Sequence, residues 1–245
     1  MIDNTISQRT PDWFRVRLGY ITGSRCADIM KAGRKKDEPF SETARSYMYQ
    51  LAAERMMNPS VISDDELFAQ YLETVQITSK AIRFGSEQED NARKLFQQLS
   101  GLYVDDVSSC RHDTIPFFAA SPDGMVFQDL RPMACVEIKC PEQKTYLKYV
   151  TDIHDAPSLK ATKPEYYWQV QAEMSCTDTP KCYFVAYCPW QVNPIHVAVI
   201  DRVEEDIETL LQRVTTVNSY IDNIILNGTK QHRSVQNLLH SVQQG

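Results

Sequence analysis

Apolar and polar positions follow two different rhythms along this chain. Residues 41–57, SETARSYMYQLAAERMM, carry apolar side chains at helical spacing through Tyr47, Leu51, Ala52 and Met56, with Ser41 placed to cap the first turn. Residues 85–101 predict a second helix, acidic at its start and with Gly101 where a C-cap would stand. The period then shortens. LYVDDVS, TIPFFAASPDGMVF and ACVEIKC predict short strands broken by turn residues. Ala134, Val136 and Ile138 point to one side and Cys135, Glu137 and Lys139 to the other, so one face of this strand is expected to be buried. Residues 163–176 return to a helical pattern after Pro164, and CYFVAYC and IHVAVID predict two strands paired through PWQVNP. Residues 203–226 predict a long amphipathic helix with Val203, Ile207, Leu210, Val214, Val217, Ile221 and Ile224 on one stripe. Beyond Gly228 the chain turns polar, although Val235, Leu238, Leu239 and Val242 still share a face. That segment reads as a frayed tail or as a short helix that docks on a neighbour.

The order of elements is helix, three strands, helix, two strands, helix. It predicts an α/β fold with a central mixed β-sheet flanked by helices. We expect one domain over residues 1–228 and a separate polar tail over 229–245. A chain of 245 residues buries a real core without staples. No stretch approaches the roughly 18–20 apolar residues that span a bilayer, and the N-terminus lacks the pattern of a secretory signal. No membrane association is expected.

Seven cysteines without a CxxC pair read as small buried hydrophobes in a reducing cytoplasm, not as a zinc or iron–sulfur site. The five histidines lack metal-ligand spacing, and Trp13, Trp168 and Trp190 read as core or interface aromatics, not as base-stacking platforms. The net charge is −6, against the basic surplus of a generic nucleic-acid binder. It does not exclude a nuclease, because metal-binding carboxylates are themselves acidic.

The chemistry gathers in one place. Ser121-Pro122-Asp123-Gly124 precedes Glu137-Ile138-Lys139, with thirteen residues between Asp123 and Glu137. A strand, a turn and a second strand fit that interval and would set the two carboxylates side by side. Two carboxylates with the backbone carbonyl of Ile138 make a hard oxygen site suited to Mg²⁺, with Mn²⁺ as a substitute. Lys139 shares the face of Glu137 and is placed to stabilise charge on a phosphate. Taken alone, the pattern also fits a surface hairpin with solvated charges. Glu89 in the preceding helix and Gln169 in the following one bring further polar groups within reach.

The spacing Asp…Glu-x-Lys is similar to the PD-(D/E)xK nuclease signature. Three more blocks extend the likeness. Trp13-Phe14-Arg15-Val16-Arg17-Leu18-Gly19-Tyr20-Ile21-Thr22-Gly23-Ser24, the Phe84-Gly85-x3-Glu89-Asp90-Asn91-Ala92-Arg93 helix and Tyr166-x2-Gln169-Val170-Gln171 occur in order along the chain. Together they resemble the lambda exonuclease, or YqaJ viral recombinase, family of phage alkaline exonucleases. The resemblance implies a restriction-endonuclease-like PD-(D/E)xK core. It implies metal ligation by Asp123, Glu137 and the Ile138 carbonyl, catalysis by Lys139, and help from Glu89 through a bound water. Arg17, Ser24 and Ser121 would hold a terminal 5′-phosphate. Tyr166 and Gln169 would position the scissile phosphate or the water, Arg34 would contact DNA, and Ile82 would act as an apolar wedge between the last base pairs. The plain alternatives are a surface salt bridge for Arg17, a helix N-cap for Ser24 and a solvated loop for the run from Arg34.

The implied activity is 5′→3′ digestion of one strand of linear double-stranded DNA to mononucleotides, leaving a 3′ single strand. Implied partners are DNA with 5′-phosphorylated ends, two further copies of the chain in a trimeric ring, and a phage single-strand annealing protein. The setting would be the cytoplasm of a bacterial host, with the gene carried by a phage or prophage. Another PD-(D/E)xK endonuclease and a non-catalytic DNA-end-binding protein are the rival readings.

Overall fold

The computed structural model describes residues 5–35, 37–75 and 80–243, with side chains for these except 80–83 and 232–243. Short elements open the chain: α1 (Pro11–Arg15), β1 (Ile21–Thr22) and α2 (Cys26–Met30), the last two joined by a 3-10 turn at Gly23–Arg25. Four helices follow, α3 (Glu42–Arg55), α4 (Pro59–Ser63), α5 (Asp65–Val75) and α6 (Lys80–Ser100). Then come β2 (Cys110–Arg111), β3 (Phe118–Ala120), β4 (Gly124–Gln128) and β5 (Arg131–Lys139). The chain ends with α7 (Gln143–Asp152), α8 (Ala156–Thr162), α9 (Pro164–Thr177), β6 (Lys181–Tyr187), β7 (Ile195–Asp201) and α10 (Glu204–Gln243).

The main sheet has the order β4-β5-β6-β7, with β5 and β6 parallel and the outer pairs antiparallel. A parallel pair needs a long crossover, and α7, α8 and α9 supply it. The β4–β5 hairpin turns on Asp129 and Leu130, both at positive φ (49° and 64°), the conformation a two-residue hairpin loop requires. A smaller sheet, β1-β3-β2, sets β1 parallel to β3 in the register Ile21↔Phe118 and Thr22↔Ala119.

Both faces of β5 are covered, where the alternation suggested one. Ala134, Val136 and Ile138 pack against Ala92 and Phe96 of α6. Cys135 packs with Phe184 of β6 and with Tyr149, Leu159, Val170 and Met174 from the crossover helices. Glu137 is therefore buried (1% exposed). The alternation was read correctly, but a charged residue in a buried strand mimics a solvent-facing position.

Several expected boundaries move. Ser41 caps α3 through a 3.2 Å bond from the Ala44 N–H, as its position predicts. The helix expected from residue 85 begins earlier, at Lys80, and it ends before Gly101 at φ 71°. LYVDDVS is not a strand; it makes only an isolated bridge, Asp105↔Met125. The segment from Phe118 to Gln128 divides into β3 and β4, which belong to different sheets. Residues 229–243 are neither a frayed tail nor a separate short helix, because α10 runs through them without a break. The buried stripe of α10, Leu210, Val214, Val217 and Ile221, packs with Tyr47, Met48 and Leu51 of α3. All seven cysteines are free, six buried and Cys140 partly so. Among the described residues no helix is long and apolar enough to cross a membrane.

Candidate active site

The hairpin brings the predicted residues together. Gly124 pairs with Val136, which puts Asp123 at the mouth of the strand pair beside Glu137. Asp123 is fixed at two points: its Oδ2 accepts the Ile138 N–H at 2.7 Å, and its carbonyl accepts from Arg93 at 2.8 Å. Gly124 leaves no room for a side chain, since a Cβ there would lie 2.3 Å from Val104 Cγ1. Lys139 Nζ forms an ion pair with Glu137 Oε1 and lies 4.9 Å from the centre of the Tyr166 ring.

Helix α9 supplies the second wall. Tyr166, Gln169 and Glu173 are spaced at i, i+3 and i+7 and so share one face. Gln169 Nε2 donates to Glu137 Oε1 at 2.6 Å and to Glu173 Oε1 at 3.0 Å. Glu173 is as buried as Glu137. The sequence reading passed over it, because a carboxylate in a helix is ordinarily solvated. Its spacing of four from Gln169 was the available signal.

Helix α6 forms the third wall through Glu89 and Arg93. Both Glu89 oxygens lie 2.6 Å from Arg9, which comes from the segment before α1 with a positive φ of 66°. Arg9, Glu89, Arg93, Ser108 and Asp123 line a cavity of about 330 Å³. Arg9 and Ser108 were also not anticipated. Neither belongs to a recognisable motif, and each reaches the cleft from a distant part of the chain.

The electrostatics are those of uncompensated negative charge. Burial, followed by the charge of Asp123, pushes the Glu137 carboxyl up to about 7. Burial and the charge of Glu137 raise Glu173 as well. Glu89 is raised by burial and by Asp123, with Arg9 offsetting part of this. Burial alone would pull Lys139 down, but Glu137 and Asp123 outweigh it and hold the ammonium above its usual range. Glu137 Oε2 and Glu173 Oε2 are buried without a hydrogen-bond partner. Hard carboxylate oxygens, two of them orphaned, fit a divalent cation that prefers oxygen ligands.

A different donor group, Cys135, Glu173 and Cys182, also gathers within 4.8 Å, because Cys135 and Cys182 are register partners on β5 and β6. Its soft thiols do not suit a hard cation. Burial also raises the Cys182 thiol and so keeps it protonated.

The residues assigned to a terminal phosphate lie at the neighbouring end of the small sheet. Ser24 follows β1 by two residues and Ser121 follows β3 by one, so both leave the same end of a parallel pair. Ser121 Oγ is buried without a partner, as are Ser108 Oγ and Ser109 Oγ. The Arg17 guanidinium lies over the Trp13 ring at 3.7 Å, and Trp13 Nε1 donates to the Ser108 carbonyl. Burial pulls Arg17 down to about 10 against the attraction of Glu54, which forms no ion pair with it. A surface salt bridge is thus not its role. Ser24 does not cap α2, whose N-cap is Arg25. Arg34 is exposed in the loop between α2 and α3. The side chain of Ile82 lies outside the described residues.

The YqaJ-like viral recombinase domain family matches residues 12–180. No curated protein sequence matches the chain. The fold is that of an alkaline exonuclease (LHK-Exo) from Laribacter hongkongensis, at 27% identity and a TM-score of 0.73 over 92% of this chain and 100% of that one. The structure of LHK-Exo in complex with dAMP matches over the same spans with a TM-score of 0.74. A phage-related exonuclease from Haemophilus somnus 129PT shares the fold at 17% identity, with a TM-score of 0.61 over 85% of this chain and 96% of that one.

Proposed function

This chain belongs to the YqaJ-like viral recombinase domain family, and on that premise we propose that it is a divalent-metal-dependent exonuclease acting on linear double-stranded DNA. The observation that carries the proposal is the buried Glu137, with one orphaned oxygen, set between Asp123 and Lys139 at the mouth of a hairpin. Structurally buried carboxylates are normally paired in full.

Asp123, Glu137 and the Ile138 carbonyl would hold the cation, Mg²⁺ with Mn²⁺ as a substitute. When bound, it neutralises phosphate charge and acidifies water at neutral pH. The chain's own residues do the rest. Gln169 steers Glu137 by donating to its Oε1. Lys139 Nζ, held at the same carboxylate, offers a cation where charge accumulates on the phosphate oxygens. Tyr166 borders Lys139 and orients the scissile phosphate. Glu89, near Asp123 and on the cleft wall, accepts a hydrogen bond from the attacking water once Arg9 yields.

The 5′→3′ direction is supported by Arg17, a cation that forms no ion pair among the described residues. A terminal phosphate carries more charge than an internal one, and a guanidinium binds it bidentately. Ser24 and Ser121 supply hydroxyls to the same phosphate, Arg34 meets the duplex backbone, and Ile82 parts the terminal pairs. Products would be mononucleotides and a 3′ overhang, handed to a phage single-strand annealing protein in the bacterial cytoplasm.

The test is digestion of linear duplex bearing 5′-phosphate or 5′-hydroxyl ends in Mg²⁺. Lys139→Ala is expected to lose on the order of a hundredfold or more in kcat. Arg17→Ala is expected to abolish the preference for phosphorylated ends. Equal rates on both ends with the wild-type protein would remove the phosphate pocket. Cleavage of covalently closed circles would replace an exonuclease with an endonuclease.

A further inference from the structure

Of the two roles expected for Trp190, core or interface, the core is excluded: it stands 67% exposed in the loop between β6 and β7. Its ring lies nearly parallel to that of Phe84 from α6, with an interplanar angle of 16° and centroids 6.5 Å apart. The two rings line an open cleft of about 940 Å³ together with Cys140, Pro141, Glu142 and Lys144. Cys140 directly follows Lys139, and Phe84 precedes Glu89 by five residues on the same helix. The cleft therefore opens beside the candidate active site.

We propose that the Phe84–Trp190 cleft binds an unpaired nucleobase of the DNA strand next to the scissile phosphate. The inference rests on the nuclease reading above and names a base-binding site within it. Every base offers two flat π-faces, and stacked bases lie ~3.4 Å apart along a strand. Two nearly parallel rings with centroids 6.5 Å apart offer flat faces on which a base can stack. Aromatic faces hold single-stranded bases without regard to sequence, which suits an enzyme that removes nucleotides in succession. Lys144 adds a positive charge on the rim for the adjoining phosphate.

The experiment is a fluorescence titration of the full chain with a 5′-phosphorylated duplex carrying a short unpaired 5′-thymidine end. Ca²⁺ replaces Mg²⁺ so that the strand stays intact. A stacked thymine is expected to quench the Trp190 emission, and the signal is expected to vanish in Trp190→Phe, which keeps Trp13 and Trp168. Binding is expected to survive in Trp190→Phe and to weaken roughly tenfold in Trp190→Ala and in Phe84→Ala. The same DNA with abasic residues at the unpaired end is expected to bind the wild-type protein as weakly as the alanine variants bind the intact end. Equal quenching in the wild type and Trp190→Phe overturns the proposal. So does an unchanged affinity in both alanine variants, or a Trp190→Ala protein whose change is in oligomeric state, which marks the cleft as an interface between copies. Wild-type protein that quenches but cuts no linear DNA in Mg²⁺ defeats the nuclease reading and leaves a base-binding site.

Discussion

Glu137 is the residue on which the local chemistry turns. Its carboxyl, pushed up to about 7 by burial and by Asp123, holds a proton in the metal-free folded protein at mildly acidic pH. In the unfolded chain the same group releases its proton near ~4.3. The folded state thus binds the extra proton between about 4.3 and 7. The stability this gives is fully present below the lower value and is lost as pH rises to the upper one. Metal-free protein should accordingly lose thermal stability from pH 5 to pH 7.5, and Mg²⁺ should restore it, because cation and proton compete for one carboxylate. Nuclease activity should rise with pH through about 7, with a midpoint that moves down as Mg²⁺ is raised. A flat profile from mildly acidic to alkaline pH would contradict this. Glu173 makes a separate prediction. Its bond to Gln169 Nε2 fixes the amide that steers Glu137. Glu173→Ala should lower kcat on the order of 10–100-fold, whereas Glu173→Gln, neutral and of equal size, should recover most of it. Activity of Glu173→Ala equal to wild type would remove the positioning role.

Among the elements, the β4–β5 hairpin and α9 matter most, because each carries residues that must meet. The hairpin was legible in the sequence, as turn residues between two strand-like segments that could set Asp123 beside Glu137; its register, Gly124↔Val136, came only from the structure. Helix α9 was also legible, but which of its faces met β5 was not. Short elements such as α1, α4 and the crossover helices α7 and α8 escaped notice, since a few residues carry too little periodicity to register. Gly19 shows how the N-terminal block is held in place. It adopts φ 73°, and a Cβ there would come within 2.5 Å of Arg55 Cγ. Arg55 Nε donates to the Gly19 carbonyl and its other nitrogen to Asn218, tying the block that carries Arg17 to α3 and α10. Gly19→Ala should cost about 1–3 kcal/mol, lowering Tm by roughly 2–10 °C. A thermal scan matching wild type would mean that the backbone at this position relaxes freely.

For the molecule as a whole, the charge of −6 poses a problem for an enzyme that works along DNA. Much of its positive charge is spent internally: Arg9 on Glu89, Arg93 on Asp106, Lys139 on Glu137 and Lys160 on Asp206. Weak non-specific affinity is tolerable if the duplex is enclosed, and a closed ring of three copies would enclose it. The chain should then elute at three times its own mass in size-exclusion chromatography with light scattering. A strict monomer that digests long duplexes without dissociating would rule out topological retention. The continuous helix α10 bears on the same question, because it carries residues 229–243 beyond the packed stripe that ends near Ile221. Deletion of 229–245 should disturb trimer formation or capture of the annealing protein, and a trimer and a partner complex both unaltered would remove that role.

The sequence alone determined the class of fold, the hairpin and the Asp123, Glu137 and Lys139 triad, because strand alternation, turn chemistry and metal-ligand types are local properties of short segments. It also marked Gln169 and Arg17 through their motifs. Only the tertiary structure decided that β5 is buried on both faces, that Glu173 and Arg9 reach the site, and that Trp190 stands in the open facing Phe84. Those facts depend on which surfaces meet across long separations in the chain. Burial, and with it the raised carboxyl of Glu137, is set by those meetings and not by the residue's neighbours in sequence.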